Sequence, residues 1–473
     1  MLIMERQRRK DFLKESSVAQ KVLVLGAGIS GLTFAYYLKK RFASNVSVRI
    51  LEASERVGGL IRTNRNFSSC LEEGPRGCRP KGKGLATLRL IEDLGITDQM
   101  IVADESAKKR FLFYENSLEA LPQSLKEAIS SPLMKGVAKE LICEPLRRRG
   151  KDSDETIASF FKRRFGPTIT KRFIAAVSRG IYAGDIEQLS MRSCFPQILN
   201  LEKSYGSLIW GMFRSPKEKT TDLSSFIKKH KNAALISFKE GMETLPQELL
   251  KQTDLDLSLK AKVEAIEFHG STVIAKTKDS TWEADHLVST IPTYQLESIL
   301  PKKVSSFFVK IKAMPWTTVI GISLVYKKAV LPQKGFGYLV PEGENSALMG
   351  VVWDSSVFPE QNIYPDETRL TIMMGGEHRP DLLEKTDKEL TQLAFHELNQ
   401  QMGIKESADY VHLWKARHAI PQYNLGHSDE VKQLSEKIRS SLPQLHLIGM
   451  SYHGVAVNDC IFHAKDLVNQ WNL

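Results

Sequence analysis

The strongest constraint on how this chain can fold is Gly26-Ala27-Gly28-Ile29-Ser30-Gly31, a G-x-G-x-x-G turn between a strand-like and a helix-like segment. Residues 21–25, KVLVL, read as a short buried strand. A helix follows from Ile29 to about Lys40, with the small residues Gly31 and Ala35 near its start. Residues 46–51, VSVRIL, give a second strand ending at Glu52. In such a unit Gly26 permits the tight turn, Gly28 lets the backbone approach a pyrophosphate, and Gly31 lets helix and strand pack closely. The helix N-terminus offers free N–H groups and a positive dipole end to phosphates. Glu52, 21 residues beyond Gly31, stands where a carboxylate can hold ribose hydroxyls. A tight turn with no ligand is the plain alternative, and the two strands and the acid in register weigh against it.

The remaining pattern must complete that unit. At 473 residues the chain is long for one core and suits two or three domains. Hydrophobic residues at 42% and charged residues at 26% are globular values, which excludes gross disorder. From about 85 to 225 the pattern is helical, as in LATLRLIEDLG and TIASFFKRRFG, each closed by Gly. Strands return over 263–292, at 318–326 and at 369–374; a helix lies near 386–402, and LHLIGM (445–450) reads as a strand leading into a closing helix. The N-terminal sheet is thus expected to be completed far downstream. The expected pieces are 19–84, 226–292 and 443–473 for one discontinuous domain, 85–225 for a helical insertion and 293–442 for a second sheet domain.

Lys plus Arg at 66 against Asp plus Glu at 55 leaves a formal charge of +11, which favours nucleic acid, an anionic membrane surface or an anionic substrate. No zinc-finger spacing, RNA-binding aromatic motif or long basic helix is present, so nucleic acid is excluded as a partner. Arg147-Arg148-Arg149 with Lys151 fits a solvated loop or a membrane contact. The five cysteines are scattered without a Cys-x-x-Cys pair, against a disulfide framework or zinc site and in favour of a reducing compartment. The first seventeen residues lack an apolar core for a secretory signal, and Glu5, Asp11 and Glu15 argue against a mitochondrial presequence. No run of eighteen apolar residues is available to span a bilayer.

Directly after Glu52 comes Ala53-Ser54-Glu55-Arg56-Val57-Gly58-Gly59-Leu60. An arginine followed by a glycine pair suits a second phosphate-facing loop, with Arg56 supplying charge and Gly59 close approach. This extension resembles the flavoprotein superfamily of amine oxidases and phytoene desaturases, which implies FAD rather than NAD. Leu71-Glu72-Glu73-Gly74-Pro75-Arg76-Gly77, Arg179 to Asp185 and Leu189 to Pro196 resemble the protoporphyrinogen oxidase family, in that family's order. So do Gly335 to Pro341, Ala419 to Tyr423 and Gly454 to Ile461.

The resemblance runs from about residue 20 to the end and implies an α/β fold. Its parts would be a discontinuous Rossmann-like FAD-binding domain, a substrate-binding sheet domain and an inserted helical membrane-associated domain. It adds Gly74, Pro75, Arg76 and Gly77 at the flavin edge, Val263 as a backbone contact near the adenine, and Met450. Trp414 is placed near the flavin or in the core. Gly454-Val455-Ala456-Val457 opens the closing helix, where the N–H groups of Val455, Ala456 and Val457 can meet the flavin C2 carbonyl and N1. The implied substrate is a cyclic tetrapyrrole bearing propionates. Arg110 matches the family's propionate anchor, which suits a guanidinium, or else is a solvated cation beside Lys108 and Lys109. Gly180 would bring backbone close to the macrocycle, and Leu339 and Met374 are apolar walls or core. The family's Gly-Gly pair is Glu240-Gly241 here, a departure expected to touch a loop.

No serine–histidine, metal-ligand or paired-carboxylate set stands out, and His412 and His418 read as ordinary histidines. The flavin would therefore carry the chemistry. The implied reaction is six-electron oxidation of a porphyrinogen in three rounds, each passing a hydride to flavin N5, with oxygen returning the flavin to its oxidised state and giving hydrogen peroxide. Peripheral attachment at a bacterial inner membrane, from the cytoplasmic side, or at a mitochondrial inner membrane is implied, and a homodimer is compatible with it. Coproporphyrinogen III oxidation, an amine oxidase or carotenoid desaturase activity, and a flavin-free binding protein like GDP-dissociation inhibitors are the alternatives.

Overall fold

The computed structural model describes residues 19–66, 69–150, 152–215, 223–253 and 255–472. Glu5, Asp11, Glu15 and Lys151 lie outside them. At the centre is a five-stranded parallel sheet in the order Leu445–Leu447, His286–Ser289, Gln20–Leu25, Val46–Leu51, Asp256–Ser258. The first strand of the chain is therefore interior, paired on one side with its neighbour in sequence and on the other with a strand that begins at residue 286. Both of its faces are covered, which is why KVLVL shows no polar alternation. Val22 and Val24 face the helices, with Leu32, Leu38, Ile461 and Ala464. Leu23 and Leu25 face Ile266, Val273, Leu296 and Leu434. The opening helix Ile29–Phe42 packs against the closing helix Val457–Gln470.

A seven-stranded sheet forms the second layer, in the order Tyr410–Pro421, Trp316–Tyr326, Thr368–Gly375, Leu348–Val352, Gly337–Leu339, Phe111–Tyr114, Ser117–Ala120. One face carries Ile320, Ile322, Leu370, Ile372 and Met374 and is sealed by Leu390, Ala394 and Leu398 of helix Asp387–Met402. That helix starts on a capping box, Thr386 with Glu389. The opposite face carries Val319, Met373 and Trp414, and Ala183 of the helical segment packs on it.

Three sequence expectations need correction. The stretch read as wholly helical contains strands at Met100–Val102, Phe111–Tyr114 and Ser117–Ala120, and the last two extend the seven-stranded sheet. FLFY is too short and too uniformly apolar to show an alternation. The strand Tyr410–Pro421 was not anticipated, because its lysine, arginine and histidines read as polar surface. The strand read as LHLIGM stops at Leu447, and Gly449 turns the chain with φ 107°.

The helical segment is fixed by a buried ion pair as well as by Phe160, Phe161 and Leu199. Arg164 and Glu144 are both wholly buried and directly paired. Arg164 also donates to the carbonyls of Glu144 at 3.0 Å and Arg147 at 2.9 Å, while Glu144 accepts from Ser207 Oγ at 2.5 Å and the Leu208 amide at 2.9 Å. Burial alone would raise the Glu144 pKa, but the bonds from Ser207, Arg164 and the Leu208 amide outweigh it and hold the carboxyl low. Its contribution is thus full above the unfolded value, about 4.3, and is lost as pH falls through the lower folded value. Arg164→Met should strand the carboxylate and cost about 3–5 kcal/mol. Denaturant unfolding checks this, and a change below 1 kcal/mol would refute it.

Candidate active site

The G-x-G-x-x-G segment forms the expected strand-to-helix turn. The Gly26 amide donates to the Leu51 carbonyl at 2.9 Å, tying the turn to the second strand. Gly28 is the N-cap of the opening helix, no side chain caps it, and the first turn has no acid, so the leading amides are available to a phosphate. Glu52 is fixed by the Ala27 and Ser54 amides, at 2.7 and 2.8 Å. The Ala261 amide donates to the Glu52 carbonyl at 2.8 Å, two residues before the strand that opens at Val263. A methyl group on Gly28 would meet only Gly59 Cα, at 3.9 Å, whereas one on Gly31 would collide with the Gly26 carbonyl.

The following loop folds back over this turn. The Gly58 amide donates to the Ala27 carbonyl at 2.8 Å, with Leu60 exposed at the rim. Arg56 spends its donors inside the loop, on Val57 and Ile61 carbonyls at 3.0 Å and the Gly59 carbonyl at 2.5 Å. The structure therefore gives it the task of shaping the loop. Gly241 has φ 84°, and a side chain on it would strike Thr63 and Glu72, so this glycine is required. Glu240 is exposed and pairs with Arg65, so the departure from Gly-Gly falls on a surface position.

Beyond the loop, Gly74 packs so closely on Leu60 that a side chain would strike its carbonyl, and Pro75 carries the chain to Arg76. Gly77 abuts the Ile236 carbonyl in the same way. Arg76 Nε donates to Asp354 Oδ1 at 2.9 Å, while its Nη2 is buried with no partner. Trp414 lies over Gly321, and its Nε1 is likewise buried and partnerless. Buried donors are normally satisfied, so each of these is a place where an acceptor on a ligand would fit. On the far side, Met450 to Gly454 form a bend before the closing helix, whose N-cap is Ala456. The Ala456 amide is engaged by Asp459 at 3.2 Å, and among the described residues the amides of Val455 and Val457 have no acceptor. Together these residues fit FAD, with its pyrophosphate at the glycine turn. Asp354, which braces Arg76, carried no local signal in the sequence, whereas Tyr423 ends a segment that did. His412 has a partner, Glu73 at 2.9 Å, next to Gly74, and His418 is an exposed residue with φ 49°.

On the seven-stranded sheet, residues paired directly across strands share a face, and Trp414, Gly321, Met373, Gly350, Leu339 and Leu112 lie in one such row. This row faces the helical segment, where Ala176, Gly180 and Ala183 lie against it. Leu339 approaches Gly180, where a methyl group would come within 3.1 Å of Leu339 Cδ2. Arg110 precedes the strand Phe111–Tyr114 that pairs with Leu339, and its guanidinium sits 4.9 Å from the Phe336 ring. Arg110, Leu339 and Gly180 therefore converge. Met374 does not, because it is wholly buried on the helix-covered face. Strand parity gives the cleft to its neighbour Met373 instead. Partial desolvation, with repulsion from Arg79, lowers the pKa of Arg110, and no acid pairs with it among the described residues. Among the described residues no His, Cys, Asp and Glu cluster could hold a metal.

Residues 29–469 match the family model of flavin containing amine oxidoreductases. The chain is 35% identical to human protoporphyrinogen oxidase over 94% of its own length and 96% of that protein. Identity to the coproporphyrinogen III oxidase of Bacillus subtilis is 25%, over 95% of this chain and 97% of that one. The fold superposes on a crystal structure of an Exiguobacterium protein with a TM-score of 0.82 at 23% identity, covering 96% of this chain and 98% of the other.

Gly28 and Gly31 make separable predictions. Gly28→Val should fold, since its surroundings are open, yet block the pyrophosphate and purify without the yellow flavin spectrum. Gly31→Val should instead lower the melting temperature sharply through collision with Gly26. Stoichiometric flavin absorbance in Gly28→Val would show that this turn does not hold the cofactor.

Proposed function

Because the chain belongs to the flavin containing amine oxidoreductases and, within them, to the protoporphyrinogen oxidase family, we propose that its cleft oxidises protoporphyrinogen IX to protoporphyrin IX. Six electrons leave the substrate in three rounds, and three molecules of oxygen become three of hydrogen peroxide. FAD, when bound, supplies this redox chemistry, taking two electrons per round and passing them to oxygen. The protein's residues bind and orient. Gly26 to Gly31, Glu52, Ala53 and Val263 would hold the adenine nucleotide and pyrophosphate, with the loop of Arg56, Gly59 and Leu60 closing over them. Gly74 to Gly77, Trp414, Met450 and the amides of Val455 and Val457 would hold the flavin.

One observation carries the substrate assignment: an arginine with no acidic partner among the described residues stands beside an apolar floor of Leu339, Met373 and Trp414. A flat tetrapyrrole can lie on that floor with Gly180 giving it room, while a propionate meets Arg110. The floor excludes water from the ring and the arginine fixes its orientation. Binding and orientation are the protein's share of catalysis. Coproporphyrinogen III, with propionates in place of two vinyls, is the competing substrate, and the lower identity to the B. subtilis enzyme favours it less.

The helical segment supports docking on a membrane surface. Leu125, Ile129, Ile142, Leu146, Met212 and Phe213 are 75–89% exposed on short helices of this segment, among Lys126, Lys139, Arg147 and Arg214. No described helix is long and apolar enough to cross a bilayer. Apolar tips ringed by cations suit shallow insertion among anionic headgroups, at a bacterial inner membrane from the cytoplasmic side or at a mitochondrial inner membrane. The substrate is itself poorly soluble and would reach the cleft from that surface.

Two measurements test this reading. Arg110→Ala should raise KM for protoporphyrinogen about ten- to a hundredfold, from about 1.5–3 kcal/mol of lost charged hydrogen bonding, with FAD content unchanged. Arg110→Lys should recover part of it, and an unchanged kcat/KM in Arg110→Ala would remove the residue from the site. In liposome flotation the wild-type protein should bind and resist high salt but yield to detergent. Leu146→Ser with Met212→Ser and Phe213→Ser should stay folded and remain unbound, and equal flotation of that variant would sink the docking assignment.

A further inference from the structure

Tyr423 ends the Ala419-Ile420-Pro421-Gln422-Tyr423 segment, to which the proposed reaction assigns no task. Its side chain is 1% exposed and lies flat on His427, with ring centroids 4.0 Å apart and planes 9° from parallel. The hydroxyl donates to the Met450 carbonyl and accepts from the Gly454 amide at 3.0 Å. Those two groups are the two ends of the bend between the last strand and the closing helix. His427 braces its middle, with Nε2 3.2 Å from the Tyr452 carbonyl. A carbonyl only accepts, so Nε2 carries the proton. Burial holds the imidazole pKa down to about 4, which leaves the ring neutral near pH 7. The Tyr423 carbonyl in turn accepts from the Ser190 amide at 2.8 Å, and its ring meets Tyr182, so the helical segment holds the tyrosine in place.

We propose that Tyr423 is a positioning residue for the flavin: by joining Met450 to Gly454 through one phenol oxygen, it fixes the bend so that the amides of Val455 and Val457 face the cofactor's C2 carbonyl edge. The inference rests on the proposed function, because it requires FAD in this cleft. A phenol is the side chain that offers a donor and an acceptor on one atom at the end of a rigid ring. Without it, the Met450 carbonyl and the Gly454 amide lose their partner and the bend relaxes. The amides at the helix start favour negative charge. Reduced flavin carries more of it than oxidised flavin, so a relaxed bend weakens the reduced form more.

Tyr423→Phe keeps the ring and its stack on His427 and removes the oxygen. In FAD titrations of apoprotein, oxidised FAD should bind about threefold more weakly and reduced FAD about thirtyfold. That tenfold difference lowers the two-electron midpoint potential by about 30 mV. Tyr182→Phe removes a neighbouring hydroxyl, bonded to the Cys194 carbonyl at 3.1 Å, and should lower stability without moving the potential. An unmoved potential and unmoved FAD affinity in Tyr423→Phe would overturn the assignment, whatever happens to turnover. A wild-type apoprotein that takes up no FAD would defeat the proposed function itself and this inference with it. If Tyr423→Phe does not fold, Tyr423→4-aminophenylalanine keeps the ring and a donor to the Met450 carbonyl but offers the Gly454 amide only a poor acceptor. A potential that shifts with it supports the assignment, and one equal to wild type overturns it.

Discussion

The architecture depends on the strand Gln20–Leu25 being buried on both faces and paired on both edges. A strand so placed cannot be stabilised by its own hairpin, because parallel partners must arrive by crossover. One partner follows the opening helix at Val46–Leu51, the other comes from His286–Ser289, and Leu445–Leu447 closes beyond that. Everything between these returns is suspended from the parallel sheet. The cleft is therefore assembled from the glycine turn at its start, Arg76 and Gly74 from the first excursion, Trp414 from the last, and the bend before the closing helix.

Arginines divide into two physical kinds here. Arg164 and Arg369 are buried and saturated, the first by Glu144 and the second by Glu367 and the carbonyls of Cys70 and Phe358. Such residues hold segments together, and their charge is cancelled where it stands. Among the described residues Arg110 has no acid, and Arg76 keeps one donor idle in the interior. Incomplete coordination sets these two apart from Arg164 and Arg369 in a protein with +11 formal charge.

Much of this was legible in the sequence wherever a local rule applies. The turn, its helix, the second strand and Glu52 are contiguous, and their spacing is dictated by backbone geometry alone. The discontinuity of the sheet was legible too, from strands returning after a helical block. What escaped depends on pairing between distant segments. Met373 and Met374 are chemically identical neighbours, and only the register against Gly321 and Gly350 decides which one meets the cleft. Arg56 looked like a phosphate ligand because its sequence context cannot show that Val57, Gly59 and Ile61 carbonyls claim its donors. Tyr410–Pro421 stayed hidden because a strand whose neighbours are more than eighty residues away in sequence need not look apolar.

The closing helix Val457–Gln470 carries a consequence for the order of events in the cell. It packs on the opening helix, and the bend before it supplies part of the cleft. A ribosome emits the closing helix long after the glycine turn, so for that interval the nascent chain holds the opening helix without the partner it packs on. Helix Ile29–Phe42 must keep its apolar side shielded by other means throughout synthesis. The shape of the cleft is therefore settled only once Val457–Gln470 has returned to the opening helix.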